Sequence, residues 1–447
     1  MRVLVMGLAV TGEAVARAVL ARGGEVTAVD DSPRAATREA AARLGIELVE
    51  APDGRELVAR ARAADLVVVT PGIPPRHPVF PAAREAGTEV VSEIELASRW
   101  TDVPLVAVTG TNGKTTVVTL IEQMLCASGR RARAAGNIGT PLIEAVSEAA
   151  DVFVVEVSSF QLAFTHRFRP VVAVWLNLAE DHLDWHPDMA DYAAAKARIW
   201  RNQAGSDLAV VNADDPLVSA AATNGATRAP AGLVTYGVTT GDYRVVDGVL
   251  TTDDDVSVVP VAELSRALPH DISNALAALA AARPAGADTS SAASVLRSFG
   301  GLPHRVALVG ESGGVRFYDD SKATTPASVL AALAGFDSVV LIAGGRNKGL
   351  DLTALRAGAD RVRSVVAIGE AAPEVEAAWS GLRPVTSAES MEQAVAAAAA
   401  GARPGDVVLL SPACASFDWY SSYAERGEDF TRAVRQLIGA GRQRGER

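Results

Sequence analysis

The chain has 447 residues, enough for about three domains of ordinary size. Its formal net charge of −11 argues against a nucleic-acid backbone as the main partner, and no uninterrupted apolar stretch approaches the length that crosses a bilayer. Apolar residues make up 49% and aromatics only 5%, which fits a large α/β protein with cores of Ala, Val and Leu.

Residues 3–6 read as a strand, 7–12 as a turn, and 13–21 as a helix closed by Gly23-Gly24. Gly7, Gly12 and Glu13 interrupt the first apolar run too early for a secretory signal. The two cysteines, Cys126 and Cys414, are far apart and make no disulfide framework, so a cytoplasmic protein is expected. A second strand over 26–29 ends at Asp30. Short strands follow at 66–69 and 89–91, separated by a loop with Pro71-Gly72 and Pro74-Pro75. This alternation predicts a small Rossmann-like domain over 1–97. Its turn, Gly7-Leu8-Ala9-Val10-Thr11-Gly12, has Ala9 where a dinucleotide fingerprint has its middle glycine, so the motif alone is weak.

The central domain, 98–302, carries the strongest signal. A buried strand at 104–108 leads into Thr109-Gly110-Thr111-Asn112-Gly113-Lys114-Thr115-Thr116. Val117, Leu120, Ile121, Met124 and Leu125 then recur at helical spacing. Strand, glycine loop, lysine, hydroxyl and helix together make a triphosphate site. Backbone N–H groups and the helix N-terminus face the anion, Lys114 meets the outer phosphates, and Thr115 reaches a magnesium ion. Val108 stands where a full Walker loop has its first glycine, so the loop is short. Further strands are expected at 152–157, 171–176, 208–211 and 233–236, with β-rich decoration over 242–261 and a helix over 272–282. In an open parallel sheet, ligands gather beyond the carboxyl ends of the strands. Glu156, Asn177 and the cluster Glu180-Asp181-His182 fall there, and such groups hold magnesium or position phosphate.

The third domain, 303–447, repeats the βα alternation, with strands at 315–318, 339–343, 365–368 and 407–410 and an alanine-rich helix at 394–400. The fold class is α/β in three domains. The first is Rossmann-like, the central one a P-loop-type ATPase with a mostly parallel sheet, and the last again Rossmann-like.

Ordered motifs along the whole chain match one family. They are the phosphate loop, Gly136-Asn137-Ile138-Gly139, Glu156-Val157-Ser158-Ser159-Phe160-Gln161-Leu162, the segment from Asn177 to His186, Ser273-Asn274-Ala275 and Gly301-Leu302-Pro303-His304-Arg305. The chain resembles the Mur ligases, ATP-dependent amide-forming enzymes of peptidoglycan synthesis. Asp320-Ser321-Lys322-Ala323-Thr324 and Ser411-Pro412-Ala413-Cys414-Ala415-Ser416-Phe417-Asp418 resemble the D-glutamate-adding branch. The Asp-Asn-Pro-Arg motif of the diaminopimelate adder is absent.

The resemblance implies ATP, magnesium, UDP-N-acetylmuramoyl-L-alanine and D-glutamate as ligands, and a monomer is expected. It implies a catalytic set of Lys114, Glu156, His182, Lys196 and Lys322. Thr115 and Glu156 would serve one magnesium, with His182 and a carbamate on Lys196 serving a second. ATP would be held by Gly110, Thr111, Asn112, Gly113, Lys114, Thr115, Thr116, Asn274, Arg305 and Asp320. The UDP-substrate falls to Val10, Thr11, Gly12, Asp30, Gly72 and Asn137, so the first domain binds UDP rather than a dinucleotide. D-Glutamate falls to Thr324, Lys348, Ser416 and Phe417. Asp31-Ser32 departs from the family's Thr-Arg-like pair, and Asp31 is left out of the site. Tyr423 replaces a more usual phenylalanine, and Cys414 is expected to be a packed thiol. Rival readings are another Mur ligase, a folylpolyglutamate synthase, a dinucleotide oxidoreductase and a P-loop switch protein. The Asp-Ser-Lys-Ala-Thr segment argues against the first two, Ala9 and the triphosphate loop against the third, and the amino-acid pattern of the last domain against the fourth.

Overall fold

The computed structural model describes residues 1–230 and 232–445. They form two compact units. The first comprises residues 1–178, 185–263 and 273–298, and the second 179–184, 264–272 and 299–447.

The first unit contains two parallel sheets. One runs in the order Glu47–Glu50, Glu25–Asp30, Arg2–Met6, Leu66–Val69, Val90–Ser92. Strand order reverses at Arg2–Met6, so the crevice beyond Met6 is the topological switch point. The expected strand at 66–69 is found with those bounds, a run of four fully buried residues. Glu47–Glu50 was not foreseen, because only Val49 of its four residues is buried. The first helix is Val10–Ala21, three residues earlier than the sequence pattern suggested. Ala9 caps it without a side-chain hydrogen bond, so no capping residue announced the start. Ala9 has φ −81°, a conformation that needs no glycine. Gly12 is different: a Cβ there would lie 1.9 Å from the Gly7 carbonyl oxygen, so this helix meets its strand only with glycine.

The second sheet runs Gly232–Tyr236, Leu208–Asn212, Val172–Trp175, Leu105–Thr109, Val152–Glu156, Ala132–Gly136, all parallel. Its order reverses around Leu105–Thr109, the strand that feeds the phosphate loop. The expected decoration at 242–261 is a three-stranded antiparallel sheet. Within this unit the two sheets are tied by the helix Glu93–Ser98. The Glu95 carboxylate, fully buried, accepts the consecutive backbone N–H groups of His166, Arg167 and Phe168 at 2.9–3.0 Å and Arg99 Nε at 2.8 Å. Glu93 accepts the Ile143 N–H at 2.6 Å.

The second unit is built on a six-stranded sheet in the order Ala307–Ser312, Val315–Asp319, Val407–Ala413, Val339–Gly344, Val362–Ile368, Val385–Ala388. Only the first pair is antiparallel. The alanine run expected as a helix lies in Met391–Gly401, whose Ala394, Val395 and Ala398 join the core on one sheet face. Among the described residues, no helix is long and apolar enough to cross a membrane.

Candidate active site

The phosphate loop joins Leu105–Thr109 to the helix Lys114–Ala127. Gly113 is the helix N-cap at φ +84°, and a Cβ there would come within 2.7 Å of Asn274 Oδ1. Glycine is therefore needed for backbone freedom and for the approach of Asn274. Asn177, just beyond the neighbouring strand, holds the loop in shape. Its Oδ1 accepts the Asn112 N–H at 2.8 Å, its Nδ2 donates to the Asn112 carbonyl at 3.1 Å, and its own carbonyl accepts the Thr111 N–H at 3.1 Å. Lys114 Nζ donates to the carbonyls of Gly110 and Thr111, both at 2.9 Å, so the cation lies over the loop.

Glu156 ends the strand Val152–Glu156 and pairs in register with Val108 and Gly136. It is 3% exposed. Oε1 accepts Asn137 Nδ2 at 3.1 Å, whereas Oε2 is buried without a hydrogen-bond partner. Lys196, in the helix Met189–Ala197, is fully buried, and its Nζ donates to the Gly110 carbonyl at 2.8 Å and lies 4.5 Å over the Tyr192 ring. The structure thus brings Lys114 and Lys196 to the same Gly110 carbonyl. His182 lies in the segment 179–184 of the other unit, where its Nε2 is 3.3 Å from Asp181 Oδ2.

At the first sheet's switch point, Val10, Thr11 and Gly12 form the first turn of a helix, so their N–H groups lack intrahelical partners. Asp30 ends its strand and takes the Ser32 N–H at 3.0 Å. Asp31 is turned to His77, whose Nε2 is 2.7 Å from Asp31 Oδ2. His77 Nδ1 accepts the Val79 N–H, so Nε2 carries the proton that Asp31 receives. The loop of Gly72 is held from the central sheet's side by Trp185 Nε1, which donates to the Ile73 carbonyl at 3.1 Å.

In the second unit, Asp320 is buried at the carboxyl edge of the sheet. Its Oδ2 accepts Ser411 Oγ at 2.7 Å and its Oδ1 the Val306 N–H at 3.3 Å. Burial pushes its carboxyl up to about 7 against these hydrogen bonds. Lys322 Nζ lies 3.9 Å over the Tyr423 ring, a cation–π contact that the tyrosine supports as a phenylalanine would. Ser416 is buried, and Phe417 and Lys348 are exposed. The Arg305 carbonyl accepts Arg266 Nη1 at 3.0 Å. Burial lifts the Cys414 thiol to about 12, so it packs as a thiol and is no thiolate near neutrality.

Three family models match the chain: "Mur ligase MurD-like, N-terminal domain" over 1–92, "Mur ligase middle domain" over 108–282, and "Mur ligase, glutamate ligase domain" over 304–414. A protein of Geobacter metallireducens named UDP-N-acetylmuramoylalanine–D-glutamate ligase is 43% identical, over 97% of this chain and 97% of the relative. One of the same name from Frankia casuarinae is 46% identical, over 98% of this chain and 94% of the relative. The chain belongs to the Mur ligase family. Solved structures agree in fold. A pseudomurein peptide ligase type C from Methanothermus fervidus superposes with a TM-score of 0.62 at 18% identity, covering 98% of this chain and 99% of that one. A UDP-N-acetylmuramate-alanine ligase from Thermotoga maritima gives 0.60 at 19%, covering 98% and 100%.

Mur ligases use ATP and Mg²⁺, and the residues present fit that ion. Among the described residues no group of three or more His, Cys, Asp or Glu side chains forms a metal cage. Magnesium is usually bound instead through one or two carboxylates together with phosphate oxygens and water. The unpartnered Glu156 Oε2 and the Thr115 hydroxyl are donors of that kind. Sequence reading missed the buried acids Glu93 and Glu95 in this Mur ligase. The Ser92 N-cap, whose side chain accepts the Glu95 N–H, was the available signal for a helix there.

Proposed function

We propose that this Mur ligase adds D-glutamate to UDP-N-acetylmuramoyl-L-alanine, with ATP converted to ADP and phosphate, in the cytoplasmic stage of peptidoglycan precursor synthesis. The observation that carries the reading is identity of 38–46% over nearly the full length to relatives of that name. The phosphate loop alone would serve any member of the family. Residues 1–97 take the UDP-substrate, 98–302 take ATP, and 303–447 take the amino acid.

The chemistry follows from a weak electrophile. A carboxylate resists attack by an amine, so one of its oxygens first attacks the γ-phosphorus of ATP, giving an acyl phosphate and ADP. The D-glutamate amine then attacks the carbonyl carbon, the C–O bond to phosphate breaks, and the nitrogen loses a proton. The protein's part is positioning and charge neutralisation. The loop N–H groups, Thr111 to Thr116, and Lys114 hold the phosphates, with Asn274, Arg305 and Asp320 holding the rest of the nucleotide. Val10, Thr11, Gly12 and Asn137 meet the UDP-substrate, with Asp30 and Gly72 toward its uracil. Lys322 faces the transferring phosphate, and Thr324, Lys348, Ser416 and the Phe417 backbone receive the glutamate carboxylates. Magnesium, held by Thr115 and Glu156 and by His182 with a carbamylated Lys196, would screen phosphoryl charge. The burial of Lys196 and the 2.8 Å approach of its Nζ to the Gly110 carbonyl of the glycine loop support the carbamate reading.

The test is isotopic. With ¹⁸O in the substrate carboxylate, one ¹⁸O should appear in each phosphate released, because the attacking oxygen leaves with phosphorus. Phosphate free of label would rule out the acyl phosphate route.

A further inference from the structure

One residue of the helix Tyr423–Gly445 has no part in the reading above. Arg426 is 1% exposed, yet every hydrogen bond of its guanidinium goes to a neutral oxygen. Nε donates to Ser321 Oγ at 2.9 Å and Nη2 to the Ser321 carbonyl at 2.8 Å. Both Nη1 and Nη2 donate to the Cys414 carbonyl at 3.1 Å. Among the described residues no carboxylate lies within 4.0 Å of it. Asp418 and Asp319 act on it only through space, and both are engaged elsewhere. Asp418 accepts the Glu370 N–H at 3.0 Å, and Asp319 accepts the Ser321 N–H at 2.9 Å and faces His304 Nδ1 at 2.6 Å. Burial lowers the guanidinium only to about 10, so it remains a cation at neutral pH.

The position of this cation is as telling as its isolation. Ser321 follows the strand Val315–Asp319, and Cys414 follows Val407–Ala413. Gly345 follows Val339–Gly344, and a Cβ there would lie 3.0 Å from Arg426 Nη1. These three strands are parallel neighbours in one sheet. One guanidinium therefore packs against the loops at three adjacent carboxyl ends, the edge where open α/β sheets bind ligands. The same loops carry Lys322 and Thr324, Ser416 and Phe417, and Lys348. Burying a cation without a counter-ion is costly, and its field favours an anion at the nearest open surface.

We propose that Arg426 is a specificity-determining positioning residue: its buried charge, beneath three ligand-edge loops, favours an amino-acid substrate that brings two carboxylates. The proposal rests on the D-glutamate reading above, so wild-type protein comes first. If it shows no D-glutamate-dependent phosphate release, that reading fails before Arg426 is tested. Given such release, KM for D-glutamate, ATP and the UDP-substrate is measured in Arg426→Met and Arg426→Lys. Methionine removes the charge, whereas lysine keeps it and loses the planar fork. Arg426→Met should raise the D-glutamate KM about tenfold or more while the other two KM values stay within about twofold. Arg426→Lys should stay within about threefold of wild type for all three. Equal losses in both variants, or a general rise in every KM, would make Arg426 a structural clamp and overturn the proposal. If the methionine variant does not fold, the lysine variant decides: a larger loss despite retained charge overturns it.

Discussion

Glu156→Gln separates a carboxylate kept for a cation from one kept for the fold. Glutamine preserves the volume and the oxygen that accepts Asn137 Nδ2, and it puts an amide nitrogen where Oε2 now has no partner. A buried unsatisfied polar group costs about 1–3 kcal/mol, more when charged. Exchanging an unmet carboxylate oxygen for a neutral amide should therefore leave the ligand-free protein no less stable. A gain of about 1 kcal/mol corresponds to roughly 2 °C in Tm for a unit of this size. Turnover should move the other way, because the amide cannot ligate a cation, with a loss on the order of a hundredfold to a thousandfold. The assay pairs thermal melting in EDTA with phosphate release in magnesium and all three substrates. A variant that melts lower in EDTA and keeps turnover within about tenfold of wild type would show that Glu156 serves the fold and not a cation.

Lys114→Ala should lower turnover by about a hundredfold to a thousandfold. Its binding of the UDP-substrate by calorimetry should stay intact, and loss of both would break the assigned division of labour. Lys196→Ala should be nearly inactive and partly restored by added short carboxylic acids, whereas full activity without rescue would exclude a carbamate. Glu93 titrates near 7 in the folded chain against 4.5 ordinarily, because burial outweighs the hydrogen bond from the Ile143 N–H. Between those values the native state holds more protons than the unfolded one. Its stabilising contribution is therefore full below pH 4.5 and lost as pH rises through about 7. Glu93→Gln should flatten that decline, by at most about 1.4 kcal/mol per pH unit in melts across pH 5 to 8. An unchanged pH profile would show that Glu93 does not titrate there.

The alternation that built the three sheets was legible where strands are buried on both faces, as at Leu66–Val69 and Leu105–Thr109, all of whose residues are buried. It was not legible where burial is one-sided. Glu47–Glu50 and the antiparallel edge Ala307–Ser312 carry exposed or half-exposed residues through most of their length. The early start of Val10–Ala21 was hidden because Gly12 in a first helical turn looks like part of a loop. The strand, glycine turn and helix around Lys114 were legible because glycine, lysine and hydroxyl have few other uses at that spacing. Asn177, expected at that sheet edge from the sequence, proves to pin the loop through Asn112. Arg426 gave no signal, since an arginine in the charged stretch Ala424-Glu425-Arg426-Gly427-Glu428-Asp429 reads as solvent-facing. Only the carbonyls of Ser321 and Cys414, about a hundred and about a dozen residues away, reveal its burial.

The D-glutamate assignment is decided by phosphate release from purified protein given ATP, magnesium and UDP-N-acetylmuramoyl-L-alanine, with one amino acid at a time and the product weighed by mass spectrometry. Release is expected with D-glutamate, together with a product heavier than the UDP-substrate by one glutamyl residue. Equal turnover with L-glutamate, or with diaminopimelate on its own acceptor, would contradict it.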